Sequence, residues 1–307
     1  MKVLVTGGSG FIGGHVVEHY QDRAEVIVLD DLRTGHRKNL DGLKCRFVEG
    51  SILDRALVDE VMDGVDYVIH LAALVSVPES ISLPGETVNI NVHGLLNVLE
   101  SARGHGVKKL CFASSAAVYG ENPVQPKVET MAPDPRSPYA ITKLDGEYYC
   151  GLYTGEGWLP TACLRFFNVF GPRQDPNSAY AAAVPIFLHR AKNNEPITIY
   201  GDGGQTRDFI YVKDIVGALA FAAGTPEVQG VFNAGYGSAL TIHELVQKIL
   251  ELTGSHSEIR HEPVRAGDIR HSTSDASKLR AAGWKPLFDV PGGLEELIGS
   301  SIPSSVP

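Results

Sequence analysis

Cysteine is scarce in this chain of 307 residues. Cys45, Cys111, Cys150 and Cys163 are scattered without metal-ligand spacing, which argues against a metal centre or a disulfide framework and leaves buried thiols in a reducing cytosol as the expectation. Positive charge is also in deficit. Lys and Arg number 27 against 36 Asp and Glu, a formal charge of -9, so the basic surface required by a nucleic acid is missing, although arginines converging locally can still hold a small anion. No apolar run approaches the roughly 18 residues of a membrane span. The N-terminus enters a strand directly, with no secretory signal, and a cytoplasmic location is expected. Internal repeats and low-complexity linkers are lacking too, so any domain boundary is a cleft and not a tether. What is present, 43% hydrophobic and 21% charged residues, suits a globule with a full core, as one large α/β domain or one with a smaller partner.

Lys2 to Thr6 reads as a buried strand that runs into Gly7-Gly-Ser-Gly-Phe-Ile-Gly13 and an apolar-periodic helix from Phe11 to Tyr20. Gly7, Gly10 and Gly13 allow a tight turn, close approach to a pyrophosphate and helix-on-strand packing, and the helix N-terminus offers amides to the anion. A second strand, 25–29, ends in Asp30-Asp31, where a carboxylate accepts from adenosine ribose hydroxyls. Asp30 would repel a ribose phosphate, which favours NAD over NADP, while nearby Arg33 leaves NADP open. Strand and helix then alternate: strand 45–48, helix 54–62, strand 65–70 ending in His70-Leu71-Ala72-Ala73, helix 86–103, strand 109–113 and strand 162–167. This order specifies a Rossmann-type doubly wound parallel sheet. Small residues after His70 leave room for a ligand, and His70 itself is read as structural.

The chemistry is expected at Ser137-Pro-Tyr-Ala-Ile-Thr-Lys143. On a helix over 139–153, the i, i+4 spacing puts the Tyr139 phenol and the Lys143 ammonium on one face. A tyrosine base at neutral pH needs its pKa lowered by roughly 3 units, about 4 kcal/mol, part of which a fixed cation can supply. Ser115, at the mouth of strand 109–113, faces the same cleft and can hydrogen-bond the oxygen from which Tyr139 takes a proton.

TGGSGFIG at 6–13, strand-end Asp30, HLAA at 70–73, ASSAAVYG at 113–120 and YAITK at 139–143 together resemble the extended short-chain dehydrogenase/reductase superfamily over essentially the whole chain. Within it the chain is similar to the UDP-hexose 4-epimerases, through 164–177 (LRFFNVFGPRQDPN) and 201–211 (GDGGQTRDFIY), and most of all to members that accept N-acetylhexosamines. The resemblance implies Ser115, Tyr139 and Lys143 as the catalytic set. It implies an NAD site from Gly7, Gly10, Phe11, Ile12, Asp30, Asp31, Thr34, Gly35, Ser51, Ile52, Leu71, Ala72, Ala73, Asn91, Tyr139 and Lys143. The substrate side would comprise Ser76, Ser115, Asn168, Ala183, Thr198, Tyr200, Arg207, Arg265, Asp268 and Ser272. No metal is implied. Gly50-Ser51-Ile52 replaces a G-D-I pattern whose aspartate contacts adenine in many relatives, leaving a neutral hydrogen bond. Ala116-Ala117 stands where sugar-nucleotide dehydratases carry Asp-Glu; alanines move no protons, which disfavours elimination of water.

The domain expectation is an NAD-binding unit at 1–167, rejoined by 208–236, and a smaller α/β UDP-sugar-binding region at 168–307. Tyr200 is suited to stack on uracil, and Arg207 and Arg265 to grip a diphosphate. Asp268 resembles the family's ribose-binding carboxylate. Further elements are expected at strand 198–200, helix 214–223, strand 230–234, a capping-box helix from Thr241 to about Leu252 with its stop at Gly254, and helix 276–282. Ser272 stands where relatives restricted to glucose and galactose carry a tyrosine, so both plain and 2-acetamido UDP-hexoses are expected as substrates. The resemblance also implies a homodimer through helices 86–103 and 139–153. A UDP-uronate 4-epimerase, or a nucleotide-sugar-binding protein without turnover, are the alternatives.

Overall fold

The computed structural model describes residues 1–175, 183–264 and 270–299. Strands and helices follow in the order β1 Lys2–Thr6, α1 Phe11–Tyr20, β2 Glu25–Asp30, β3 Arg46–Glu49, α2 Arg55–Val61, β4 Tyr67–His70, α3 Val77–Ser82, α4 Pro84–Val88, α5 Gly94–Gly104, β5 Lys109–Ser115, α6 Pro138–Gly155 and β6 Thr161–Phe166. The chain continues as β7 Asn168–Phe170, α7 Ala183–Lys192, β8 Ile197–Tyr200, β9 Thr206–Arg207, β10 Phe209–Tyr211, α8 Val212–Gly224, β11 Gly230–Ala234, β12 Leu240–Thr241, α9 Ile242–Thr253, β13 Ile259–Glu262, β14 His271–Ser272, α10 Ser277–Ala281 and α11 Val290–Gly299. Seven strands form one parallel sheet in the order β11-β6-β5-β4-β1-β2-β3. The expected doubly wound architecture is the one observed. Its order reverses between β1 and β4, which opens a crevice at their carboxyl ends.

The sheet strands are apolar throughout because both faces are covered. In β1, Val3 and Val5 face α1 and α8 in one core with Val16, Val17, Ile215 and Leu219. Leu4, between them, faces the other way, into a core with Val58 of α2, Leu95 and Leu99 of α5, and Cys150 and Tyr153 of α6. Cys111, Cys150 and Cys163 are free, buried thiols. A third core, distal to the sheet, packs α7, α9 and α11 against β8 and β10 through Phe187, Leu245, Ile249, Leu294, Ile199 and Phe209.

Two sequence expectations change. The single helix read over 86–103 is α4 and α5 joined by a π turn at Asn89–His93. Its extra residue rotates what precedes it by about 100°, so Val88, which stands at i, i+4 spacing from Val92 in the sequence, is exposed while Val92, Leu95 and Leu99 are buried. The cause is Asn91, whose side chain accepts from Leu74 N at 2.7 Å and donates to Leu74 O and Thr142 Oγ1, both at 3.0 Å. Short helix α3, absent from the sequence reading, begins at Ser76, whose hydroxyl caps Glu79 N.

Beyond the sheet, Asp208 ties several segments together. Its carboxylate accepts from Tyr236 N, Gly237 N, Ser274 N and Ser274 Oγ, and burial pushes its pKa up against these bonds. This anchor fixes β9, where Arg207 pairs in register with Ser272 of β14. The capping box at Thr241 and Glu244 is complete, and Gly254 ends α9 in the left-handed region at φ 64°.

Candidate active site

A cleft opens at the β1–β4 reversal. It is floored by the glycine turn after β1 and walled by Asp30 and Asp31, by Leu71, Ala72 and Ala73 after β4, by Ser115 at the end of β5, and by Tyr139 and Lys143 of α6. Gly7 is left-handed at φ 71°, and a Cβ there would lie 2.7 Å from the Ala72 nitrogen; one at Gly13 would lie 2.2 Å from the Gly7 oxygen. The helix therefore sits as near the strand as backbone permits. The first turn of α1 has no side-chain cap and no acidic residue, leaving its amides to an anion. Asp30 accepts from Ser9 N and Leu32 N, each at 2.8 Å, and burial raises its pKa. Phe11, Ile12, Thr34, Gly35 and Ile52 complete this end. Glycine cradle, uncapped helix start and strand-end carboxylate are the donor and acceptor set a dinucleotide requires.

Ser137 and Pro138 set the position of Tyr139. Ser137 Oγ caps Ala140 N at 3.2 Å and proline occupies the first helical position. Ser80 of α3 accepts from Tyr139 N at 3.2 Å. One turn on, the buried Lys143 ammonium donates to Ala113 O at 2.7 Å and stands 5.7 Å from the Tyr139 ring centroid. A further turn on, Glu147 takes a bidentate pair from Arg165 of β6, at 2.8 and 2.7 Å, and a 2.5 Å bond from Ser114 Oγ. The residue beside Ser115 is thus clamped to the helix that carries Tyr139. Glu147 lies four residues from Lys143, a spacing visible in the sequence; the Ser80 contact had no sequence signal.

The electrostatics correct one expectation. The Lys143 cation was to lower the Tyr139 pKa. Instead, burial pushes Tyr139 up, opposed by its hydrogen bond with Ser115, and desolvation pulls Lys143 down to about 8. Burial penalises both charged forms at once. His70 is structural as read: its Nδ1 is 2.8 Å from Thr6 Oγ1, its ring stacks on Phe112, and burial lowers its pKa to about 3, so it is neutral.

The other expected site residues are placed as follows. Asn91 and Ser51 stand behind the cofactor wall: Asn91 braces Leu74, and Ser51 Oγ accepts from Leu53 N at 3.2 Å. Ser76 caps α3. Asn168 donates to Asp208 O at 3.0 Å, Thr198 and Tyr200 lie on β8, and Arg207 and Ser272 are neighbours on β9 and β14. Ala183 begins α7. Arg265 and Asp268 lie outside the described residues. Gln174, Phe166 and Val169 also line the cleft; they lie in the stretch 164–177 that carries the resemblance but were not singled out individually. Ser115 is followed by a 3-10 turn, Ala116–Tyr119, whose Ala117 N donates to Ser115 Oγ at 3.1 Å, so no acid or base follows the serine.

The family model described as NAD dependent epimerase/dehydratase matches residues 3–235. A solved UDP-N-acetylglucosamine 4-epimerase of Methanobrevibacter ruminantium, in complex with UDP-N-acetylmuramic acid, is 39% identical with a TM-score of 0.94 over 97% of each chain. The UDP-glucose 4-epimerase of Thermotoga maritima, with UDP-glucose, is also 39% identical, with a TM-score of 0.91 over 97% of this chain and 98% of that one. The Thermus thermophilus UDP-glucose 4-epimerase in complex with NAD is 38% identical, with a TM-score of 0.88 over the same shares.

The buried ammonium carries a stability penalty whose sign is testable. With a folded pKa of about 8 against an ordinary 10.5, the penalty is full below pH 8, is relieved as pH rises through 8 to 10.5, and is gone above. Cofactor-stripped Lys143→Met should therefore be more stable than the parent at pH 7, by up to about 3 kcal/mol, with the gain shrinking by pH 10. Urea midpoints at the two pH values check this, and a variant less stable at pH 7 would contradict it.

Proposed function

The chain belongs to the NAD-dependent epimerase/dehydratase family, and on that premise we propose that it inverts carbon 4 of a UDP-hexose through a transient 4-keto sugar. NAD is its cofactor, and when bound supplies the acceptor and donor of hydride and, oxidised, a positive charge. The observation that carries the reading is the convergence of Ser115, Tyr139 and Lys143 at the carboxyl edge of the sheet, in the same cleft as the glycine turn and Asp30. Tyr139 takes the proton of the sugar 4-hydroxyl and later returns it. Ser115, whose Oγ accepts from Ala117 N and keeps its own proton to donate, holds the sugar oxygen. Lys143, its ammonium held by Ala113 O 5.7 Å from the Tyr139 ring centroid, is assigned to hold the cofactor beside the phenol, while the Ser115 hydrogen bond counters the burial that raises the Tyr139 pKa. Ala116 and Ala117 speak for epimerisation over dehydration.

On the sugar side we assign residues 168 onward, with Arg207 gripping the diphosphate. Ser272, half-buried next to Arg207, leaves volume for a 2-acetamido group, so both UDP-GlcNAc/UDP-GalNAc and UDP-Glc/UDP-Gal are assigned as substrates. Relatives at the same 39% identity carry different sugars in their names, so the assignment rests on that serine. No helix among the described residues is long and apolar enough to cross a membrane, and the free buried thiols suit the cytoplasm. A homodimer is assigned from an apolar stripe on α6, where Ile141, Tyr148 and Leu152 are 46%, 63% and 48% exposed, beside exposed Ile81 of α3, Val88 of α4 and Leu83 between those two helices.

Incubated with UDP-galactose or UDP-GalNAc and no added NAD, the purified protein should form the 4-epimer, read by chromatography. Tyr139→Phe should lower turnover by about 10³-fold and leave UDP-sugar binding intact; retained turnover removes the tyrosine from this role. Ser272→Tyr should depress turnover of the acetamido pair far more than of the plain pair, and equal losses defeat the substrate assignment. Sedimentation at micromolar concentration should give a dimer, which Ile141→Glu/Leu152→Glu converts to monomer.

A further inference from the structure

Arg33 follows Asp30 and Asp31 and lines the same cleft, which is where a cation for a ribose 2′-phosphate would be placed. Its guanidinium is nevertheless committed elsewhere. Nη2 lies 3.0 Å from Glu79 Oε1 of α3, and Nη1 pairs with Glu86 Oε1 of α4. The Glu79 contact runs against its local sequence. Ser76 and Glu79 have capping-box spacing, and Ser76 Oγ does accept from Glu79 N at 3.1 Å. Such a glutamate ordinarily returns its carboxylate to the cap residue's own N–H, as Glu244 does to Thr241 N at 2.8 Å. Glu79 turns to Arg33 instead. Among the described residues lining the cleft, the cations are Arg33 and Lys143, and Lys143 is held at the far end by Ala113 O. A 2′-phosphate beside Asp30 and Asp31 therefore meets two carboxylates and no available cation.

We propose that Glu79 and Glu86 are specificity-determining residues that enforce NAD over NADP by sequestering Arg33, through the two ion pairs that bridge the loop after β2 to α3 and α4. The discrimination thus has two parts: repulsion by Asp30, and withdrawal of Arg33, the one guanidinium among the described residues lining the cleft. Selectivity against a ligand is commonly built by such an unfavourable element and not only by contacts to the favoured one. The inference rests on NAD being the cofactor and is independent of the sugar.

The test is titration calorimetry of NAD and NADP into cofactor-stripped protein without any UDP-sugar, for the parent, Glu79→Gln/Glu86→Gln, and the same double variant carrying Arg33→Met. Because the pairs are partly exposed, each is worth a few-fold, so the ratio of the NADP to the NAD dissociation constant should fall about tenfold in the double variant. It should return to the parental value once Arg33 is also removed. An unchanged ratio in the folded double variant overturns the proposal, and so does a fall that persists without Arg33. Should the double variant fail to fold after stripping, Glu86→Gln alone, altering a side chain 42% exposed, should lower the ratio about threefold, and no change there is equally fatal. Loss of epimerase activity against every sugar would leave these binding ratios untouched, so the two readings fail separately.

Discussion

A lysine ammonium inside a protein must be met by an acceptor, and here that acceptor is the carbonyl of Ala113, 2.7 Å from Lys143 Nζ at the end of β5. The bond fixes the distance between the sheet edge and α6, and with it the spacing of Ser115 from Tyr139. Below it, Glu147 joins Ser114 to Arg165 and pins the same strand, helix and neighbouring strand a turn further down. A buried ion pair adds little net stability over an apolar core of the same shape. Its use in this position is register: three elements are held where hydroxyl, phenol and ammonium share one cleft.

That arrangement works against the ionisation the chemistry requires. Burial drives Tyr139 towards its neutral form and Lys143 towards loss of its proton, so the protein alone leaves the pair reluctant to charge. The same lack of water that penalises these charges also leaves them unscreened, so a positive charge brought into the cleft would act strongly on both groups.

Charge also organises the other end. Asp30 is buried and satisfied by two backbone amides, which holds its carboxylate in place at the end of β2. Arg33, one loop further, is drawn out to α3, and α3 in turn offers Ser80 to the backbone of Tyr139. A helix of six residues therefore touches both the Asp30 end and the Tyr139 end of the cleft, while strands β9 and β14 depend on a separate anchor, Asp208.

Much of this was legible in the chain. The strand, glycine turn and helix at 2–20, the alternation behind the parallel sheet, and Tyr139, Lys143 and Ser115 depend on local spacing, and local spacing survives folding because 3.6- and 2-residue periods are properties of the backbone. The capping box at Thr241 and the stop at Gly254 belong here too. Other features were decided in three dimensions. The π turn at Asn89–His93 arises because Asn91 reaches Leu74 and Thr142, far away in sequence. Glu79 leaves its cap for a guanidinium 46 residues earlier. The shifts of Tyr139 and Lys143 follow from burial, which no single stretch of sequence specifies. Spacing along the chain thus determined the fold class and pointed to Ser115, Tyr139 and Lys143, while tertiary packing decided which side chains face the cleft, which brace it, and what charge each can carry, since desolvation and long-range partners exist only once distant segments meet.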